Sequence, residues 1–213
     1  RSHTKHDEKQ SKLLLDEADA VFCEWGLGNA VWYSRNVMPH QKLVVRVHSQ
    51  ELFRPYLKQI AAKSVDQFIF VGELIRSAAV VSHGVPRDKT TIIPNPVDAE
   101  ALNRPKSEGA EFGIGFVGMV PMSKRLDRAL DVLEALQKVD RRFHLRIKGK
   151  TPEDYPWMAN RPKEMDFYRS QYERIEAINE SYPGSVIFDG YGSDMASWYS
   201  KVAYVISVSY THL

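Results

Sequence analysis

Cysteine, net charge, long apolar runs and metal-ligand spacings are all scarce in this chain, and each scarcity excludes something. Cys23 is the only cysteine, so no disulfide can form within the chain, which fits a reducing compartment. Its neighbours Val21 and Phe22 read it as a buried structural thiol rather than a reactive one. No apolar run is long enough to span a bilayer, and no secretory signal pattern opens the chain. A cytoplasmic location is expected, with a peripheral membrane contact left open. Lys and Arg number 29 against 27 Asp and Glu, a formal net charge of +2. The basic residues are scattered rather than massed in a stripe, which argues against nucleic acid as a partner. The 7 histidines are dispersed, with no H-x-x-x-H or C-x-x-C spacing, so no metal site is expected. Internal repeats and low-complexity segments are absent. What the chain does have is 43% hydrophobic residues in 213 positions, enough for one large domain or two small ones.

Both ends read as cut. The chain opens on Arg1 with polar residues, and its last six residues, Val-Ser-Tyr-Thr-His-Leu, resemble a translated sequencing adapter. Residues 208–213 are therefore expected to be a non-native tail, and the whole an internal fragment of a longer protein; a real polar tail is the alternative.

Short apolar runs alternate with amphipathic segments. Residues 20–23, 43–47, 67–71 and 91–93 read as strands, with helices expected over 29–35, 51–63 and 73–82. The helix over 51–63 would place Leu52, Tyr56, Ile60 and Lys63 along one side. Gly84 and Pro86 supply a stop for the third helix. From Pro94 to Glu111, prolines, Gly109 and charges mark a change of character. A second series follows, with strands over 112–120, 143–147, 186–188 and 202–208 and helices over 123–139, 163–180 and 195–200. Strand–helix alternation implies parallel sheets with right-handed crossovers. The expected domains are 1–98 and 112–207, joined by a linker over 99–111.

The most informative stretch is 116–136, a buried strand, a tight loop and an amphipathic helix. Leu126, Ala129, Leu130, Leu133 and Leu136 recur at helical spacing, with Arg125, Asp127, Arg128, Asp131 and Glu134 opposite. Lys124 sits where the loop becomes the helix. Free N–H groups, the positive end of the helix dipole and an ammonium group would converge there, which suits phosphate. An exposed helix-start lysine is the plainer reading, though a cation at a helix N-terminus is disfavoured without an anion nearby. Residues 113–118, Gly-Ile-Gly-Phe-Val-Gly, match a dinucleotide fingerprint by letter only, because its glycines lie inside the strand and the helix begins later. Gly115 and Gly118 instead suggest close approach of a ligand or another backbone. Residues 92–98, Ile-Ile-Pro-Asn-Pro-Val-Asp, end a strand in a rigid turn that Asn95 and Asp98 can bond internally.

With these motifs in order, the chain resembles the GT-B glycosyltransferases, in particular the large retaining group called family 4. Members carry a turn like P-N-x-V-D, then G-R-x-x-x-x-K-G, G-x-G-P, F-x-G and finally E-x7-E. Here stand Pro94-Asn-Pro-Val-Asp98, Gly118-Met-Val-Pro-Met-Ser-Lys124, Lys148-Gly-Lys-Thr-Pro152 and Phe188-Asp-Gly190. The resemblance covers roughly residues 15 to 207. It implies two Rossmann-like doubly wound α/β units, both incomplete in this fragment. It implies transfer of a sugar from a nucleotide-diphosphate sugar to an acceptor hydroxyl with retention, without a cofactor or a required metal. The acceptor is left open among glycans, lipid-linked glycans and small molecules. Two features depart from the pattern: Met119 stands where the family commonly has Arg, and E-x7-E is absent.

Carried over residue by residue, the resemblance makes Lys124 the cation facing the donor diphosphate, with Gly118 beside it and Arg125 as a substitute for the missing arginine. Gly190 and Tyr191 would contact the nucleotide, with Lys148 near it; a solvated loop explains Lys148–Lys150 equally. His48 follows an apolar strand, at the end where ligands bind in such sheets, and the resemblance places it near the transferred sugar as the catalytic candidate. A structural histidine is the alternative. Arg46 reads as a paired structural charge. Trp25 could stack on a sugar, while a capped turn before the next helix is the plainer reading. Trp157 and the aromatics of the helix after it read as core. Two rival functions remain: a nucleotide-sugar epimerase on the same architecture, and a non-catalytic binding homologue.

Overall fold

The computed structural model describes residues 7–207; the expected non-native tail, 208–213, lies outside them. The described chain forms two compact units that divide between Pro96 and Val97.

The first unit opens on a helix the sequence reading passed over, α1 (Glu8–Asp16), capped by Asp7, whose side chain accepts from the N–H of Gln10 at 3.1 Å. Then come β1 (Ala20–Cys23), α2 (Gly28–Asn36), β2 (Lys42–Val47), β3 (Gln67–Phe70), α3 (Glu73–His83) and β4 (Thr90–Ile92). The strands form one parallel sheet in the order β1-β2-β3-β4. Alternation buries Leu43, Val45 and Val47 of β2 and Phe68 and Phe70 of β3. Ile75 and Ala79 of α3 join the same core. Gly84 closes α3 in the left-handed conformation, φ 70°, as its sequence context suggests.

The helix expected over 51–63 does not form. The chain instead makes three short 3-10 turns, Ser49–Phe53, Leu57–Gln59 and Ala62–Ser64. Pro55 explains the break. It lacks an N–H, and its ring pushes the preceding residue out of the helical region; Arg54 is accordingly extended, at φ −120° and ψ 153°. The apolar stripe survives, because Leu52, Tyr56 and Ile60 still pack on the core.

The second unit holds α4 (Ala99–Leu102), β5 (Gly113–Val117), α5 (Leu126–Gln137), β6 (His144–Lys148), α6 (Pro162–Ser181), β7 (Val186–Gly190), α7 (Met195–Tyr199) and β8 (Tyr204–Ile206). Its parallel sheet runs in the order β7-β6-β5-β8. The chain thus steps outward from β5 through β6 to β7, then returns to the other side of β5. That reversal is the place where open α/β sheets bind ligands, beyond the carboxyl ends of the strands. Leu126, Ala129, Leu130 and Leu133 bury the inner face of α5 against Ile114, Phe116, Leu145 and Ile147. Over 99–111, where a linker is expected, the chain carries α4, with Asp98 accepting from Ala101 N–H at 2.9 Å. Lys106 Nζ donates to the carbonyls of Tyr199 and Val202 at 2.9 and 2.7 Å, which ties this segment to the second unit.

Two boundaries differ from expectation for local reasons. β5 stops at Val117 because Gly118 turns left-handed, φ 71°. α5 starts at Leu126 rather than 123, because Met122–Lys124 is a separate 3-10 turn and Arg125 adopts φ 62° before the helix. Gly113 and Gly115 do allow close approach, of the chain to itself. A Cβ at 115 would lie 2.7 Å from Trp198 Cη2, and one at 113 would lie 2.5 Å from the Lys201 carbonyl oxygen.

Among the described residues, no helix is long and apolar enough to cross a membrane.

Candidate functional site

In the second unit, β5 and β6 give way to, and β7 ends on, a positive-φ glycine at the carboxyl edge: Gly118 (φ 71°), Gly149 (φ 137°) and Gly190 (φ 66°). Their backbones interlock. Gly118 N–H donates to the Lys148 carbonyl at 2.8 Å, and Gly149 N–H donates to the Gly190 carbonyl at 3.0 Å. A Cβ on Gly149 would approach Gly118 Cα to 3.3 Å, whereas one on Gly118 would meet nothing within 4 Å. The result is a bare backbone rim at the reversal of strand order, open above Gly118. Such a rim admits a phosphate to van der Waals distance of the main chain.

Lys124 lies on the 3-10 turn beyond this rim, partly buried. Its side chain makes no hydrogen bond or ion pair with the described residues. Arg125 is committed elsewhere, since its guanidinium grips Asp127 at 2.7–3.2 Å. Hydrogen bonds from Arg125 hold the Asp127 carboxyl below the usual range. Met119, at the position where the resemblance expects arginine, is fully buried in the core. Its carbonyl accepts from the buried Tyr168 hydroxyl at 2.7 Å. The missing arginine is therefore a core position in this chain.

Lys148 is buried, with its ammonium on Asp194 at 2.7 Å and close to the Asp189 carbonyl at 3.4 Å. The hydrogen bond from Lys148 lowers the Asp194 carboxyl. Arg146 makes a two-point contact with Asp189 at 2.6 and 3.0 Å, and Trp198 Nε1 donates to the same carboxylate at 2.8 Å. The Asp189 contacts brace the end of β7, and the Lys148–Asp194 pair braces the segment after it against the sheet. A Cβ on Gly192 would lie 2.6 Å from Asp194 Oδ1, so this glycine makes room for the brace. Neither Asp189 nor Asp194 is evident from sequence; their only signal is position, Asp189 within β7 beside its terminal glycine and Asp194 shortly after it.

Tyr191 is 77% exposed beside the rim, with the Lys150 ammonium 5.2 Å from its ring centroid. Trp157 departs from the core expectation. It is 41% exposed, with the Arg161 guanidinium 4.7 Å over its ring. Tyr168, on the helix that follows, is core as expected.

In the first unit, His48 follows β2 at the carboxyl edge. Its Nε2 meets Glu24 Oε1 at 3.1 Å, and its ring stacks on Trp25 with centroids 4.3 Å apart. Arg46 is paired, as its place in the strand suggests: Nη1 reaches the same Glu24 oxygen at 3.4 Å, and Nη2 donates to Asn95 Oδ1 at 2.6 Å. The turn at Asn95 and Asp98 is thus not bonded internally. Asn95 serves Arg46, and Asp98 caps α4. Glu51 was not singled out by sequence. It is fully buried, and its Oε1 accepts from the N–H groups of Gly26 and His48 at 3.2 and 3.1 Å. Burial pushes its carboxyl up, while those two N–H groups act in the other direction. Among the described residues, no three His, Cys, Asp or Glu side chains gather as a metal site would require.

Comparison with family models and with curated proteins returns no match. Solved structures do match the fold. HepE from Anabaena, determined with UDP and glucose, superposes with a TM-score of 0.69 at 16% identity over 94% of this chain and 55% of its own. A mutant of S. aureus TarM, determined with fondaparinux, alpha-GlcNAc-glycerol and UDP, gives 0.63 at 17% identity over 94% of this chain and 39% of its own. The lipopolysaccharide outer core galactosyltransferase WaaB gives 0.59 at 17% identity over 94% of this chain and 53% of its own. This chain therefore spans about half the length of these proteins or less, and its two parallel α/β sheets have the architecture of the GT-B glycosyltransferases.

Proposed function

We propose that this chain belongs to a glycosyltransferase that moves a sugar from a nucleotide-diphosphate sugar to an acceptor hydroxyl. One observation carries the reading. Lys124, whose side chain makes no hydrogen bond or ion pair with the described residues, stands on the turn that follows Gly118 in the chain, and Gly118 belongs to a rim of bare glycine backbone at the point where the strand order reverses. In the reaction, the bond between the anomeric carbon and the diphosphate oxygen breaks, and its electron pair leaves with the nucleoside diphosphate. The acceptor oxygen forms the new bond and gives up its proton, which passes to the departing diphosphate or to water. Negative charge grows on the diphosphate as the bond breaks, so a fixed ammonium and aimed N–H groups stabilise the transition state more than the ground state. Lys124 takes the role of that ammonium, and the rim around Gly118 lets the phosphates approach. Gly190 and Tyr191 adjoin the nucleoside.

The bracing seen around Lys148 changes its part. It holds the segment after β7 in place rather than offering a free charge, and Arg125 is likewise occupied by Asp127. Retention at the anomeric carbon and independence of a required metal are drawn from the resemblance to family 4. UDP and UDP-glucose in the fold neighbours make uridine nucleotides the first donors to try.

The test uses the intact protein and a panel of nucleotide sugars. Lys124→Ala is expected to lower kcat/KM for the donor by roughly two orders of magnitude or more, the scale for loss of one electrostatic stabiliser. Unchanged kinetics in that variant would remove the assignment. Product anomeric configuration read by proton NMR decides retention, and turnover in EDTA decides the metal question. Nucleotide binding with no turnover of any donor would favour the non-catalytic homologue.

A further inference from the structure

The sequence nominates His48 as the reactive group of the first unit, but the geometry gives the accessible place to its neighbour. The His48 side chain is 17% exposed and that of Glu24 is 49% exposed. One carboxylate oxygen of Glu24, Oε1, takes both His48 Nε2 and Arg46 Nη1. Its other oxygen accepts no hydrogen bond from the described residues. The supports of Glu24 are themselves held. Arg46 is anchored by Asn95, and the His48 backbone is anchored by the buried carboxylate of Glu51, which also ties down Gly26 on the far side of Trp25 in sequence. Trp25 stacks on His48 and stays 38% exposed. The carboxyl end of β1 therefore presents a fixed carboxylate oxygen next to a fixed indole.

That pairing has a definite chemical preference. An ionised carboxylate offers lone pairs only, so it selects ligands that bring donors. An aromatic face set beside convergent polar groups suits a ligand with an apolar ring surface and polar edges. A cationic ligand is disfavoured, because the Arg46 guanidinium already lies against the same carboxylate. A neutral ring bearing several hydroxyls satisfies all three conditions. We propose that Glu24 and Trp25 form a carbohydrate subsite, in which the Glu24 carboxylate accepts from sugar hydroxyls and the indole packs against the C–H face of the ring. Arg46 and His48 are positioning residues in this arrangement. The proposal rests on the glycosyl-transfer reading and adds that the acceptor is itself a sugar.

The experiment is an array of neutral mono- and oligosaccharides probed with the intact wild-type protein, Glu24→Gln, Trp25→Ala and Trp25→Phe. Wild type is expected to retain a subset of the glycans. Glu24→Gln and Trp25→Ala should lose at least tenfold in apparent affinity for them, and Trp25→Phe, which keeps a ring, should recover most of the loss. Circular dichroism of each variant identifies any loss caused by unfolding, and for a variant that unfolds, the wild-type array and Trp25→Phe decide the matter. The subsite is overturned if wild type retains no glycan, or if folded variants bind as wild type does. The underlying reading fails differently, through absence of nucleotide-sugar turnover by the wild-type protein.

Discussion

At the scale of single residues, burial and charge pairing set reactivity. Cys23 ends β1 inside the core, and desolvation pushes its thiol up to about 12. The thiolate is the reactive form, so native protein at about pH 8 is expected to leave Ellman's reagent unconsumed, with one thiol appearing on unfolding in urea. Rapid reaction of the native protein would contradict the burial. Asp194 behaves oppositely, since its hydrogen bond from Lys148 lowers its pKa. A carboxylate depressed on folding stabilises the native state above its unfolded pKa of about 3.9, and that contribution is lost as pH falls through the folded value. Glu and Asp elsewhere titrate in both proteins, so the informative quantity is the difference between wild type and Asp194→Asn. That difference in urea midpoint is expected at neutral pH and should shrink below about pH 4. A pH-independent gap would mean that Lys148 does not act through the Asp194 charge.

At the scale of elements, glycines decide how closely strands and helices pack. Gly115 sits mid-strand in β5, where Trp198 Cη2 and Val202 Cγ2 would lie 2.7 and 3.1 Å from an added methyl group. Neither neighbour can retreat easily, because Trp198 is buried and its indole N–H is held by Asp189. Gly115→Ala is therefore expected to destabilise by about 1–3 kcal/mol, the usual cost of overpacking, measured by urea denaturation. No loss of stability would show that α7 can shift away from β5. Asp189 is a more severe position. Removing it leaves the Arg146 guanidinium and the Trp198 N–H without their shared acceptor, a change of the kind that costs about 3–5 kcal/mol. Strand and helix periodicity located most elements within a residue or two, yet it misjudged 51–63. There the apolar stripe kept helical spacing while Pro55 broke the backbone, and spacing carries no record of a missing N–H.

At the scale of the whole molecule, two cores share no residue: one around β2, β3 and α3, the other around β5, β6 and α5. Phe68→Ala, in the first, is expected to cost about 3–5 kcal/mol as a buried aromatic truncation. Hydrogen exchange should show faster exchange in β1 to β4 while β5 to β7 keep their protection. Equal loss in both units would show that they unfold as one. Alternation of apolar runs with amphipathic segments was enough to indicate two α/β units and parallel sheets, because periodicity and crossover handedness are local or nearly local constraints. The placement of Gly118 and Gly190 at strand ends, and of Lys124 in the loop before α5, was legible for the same reason, since strand ends and loops are marked locally in sequence. The state of each charge was not legible. Lys148, Arg125 and Lys124 look alike as cations at strand ends and in loops, but Lys148 is closed by Asp194 from 46 positions away, Arg125 by Asp127, and Lys124 makes no such bond with the described residues. The same holds for Glu24, which rises above His48 as a candidate because Arg46 and His48 converge on one of its oxygens from 22 and 24 positions away. Sequence determined where chemistry-bearing side chains enter the fold; the tertiary structure alone decided which of them are neutralised by a distant partner, because ion pairing depends on distance in space rather than on separation along the chain.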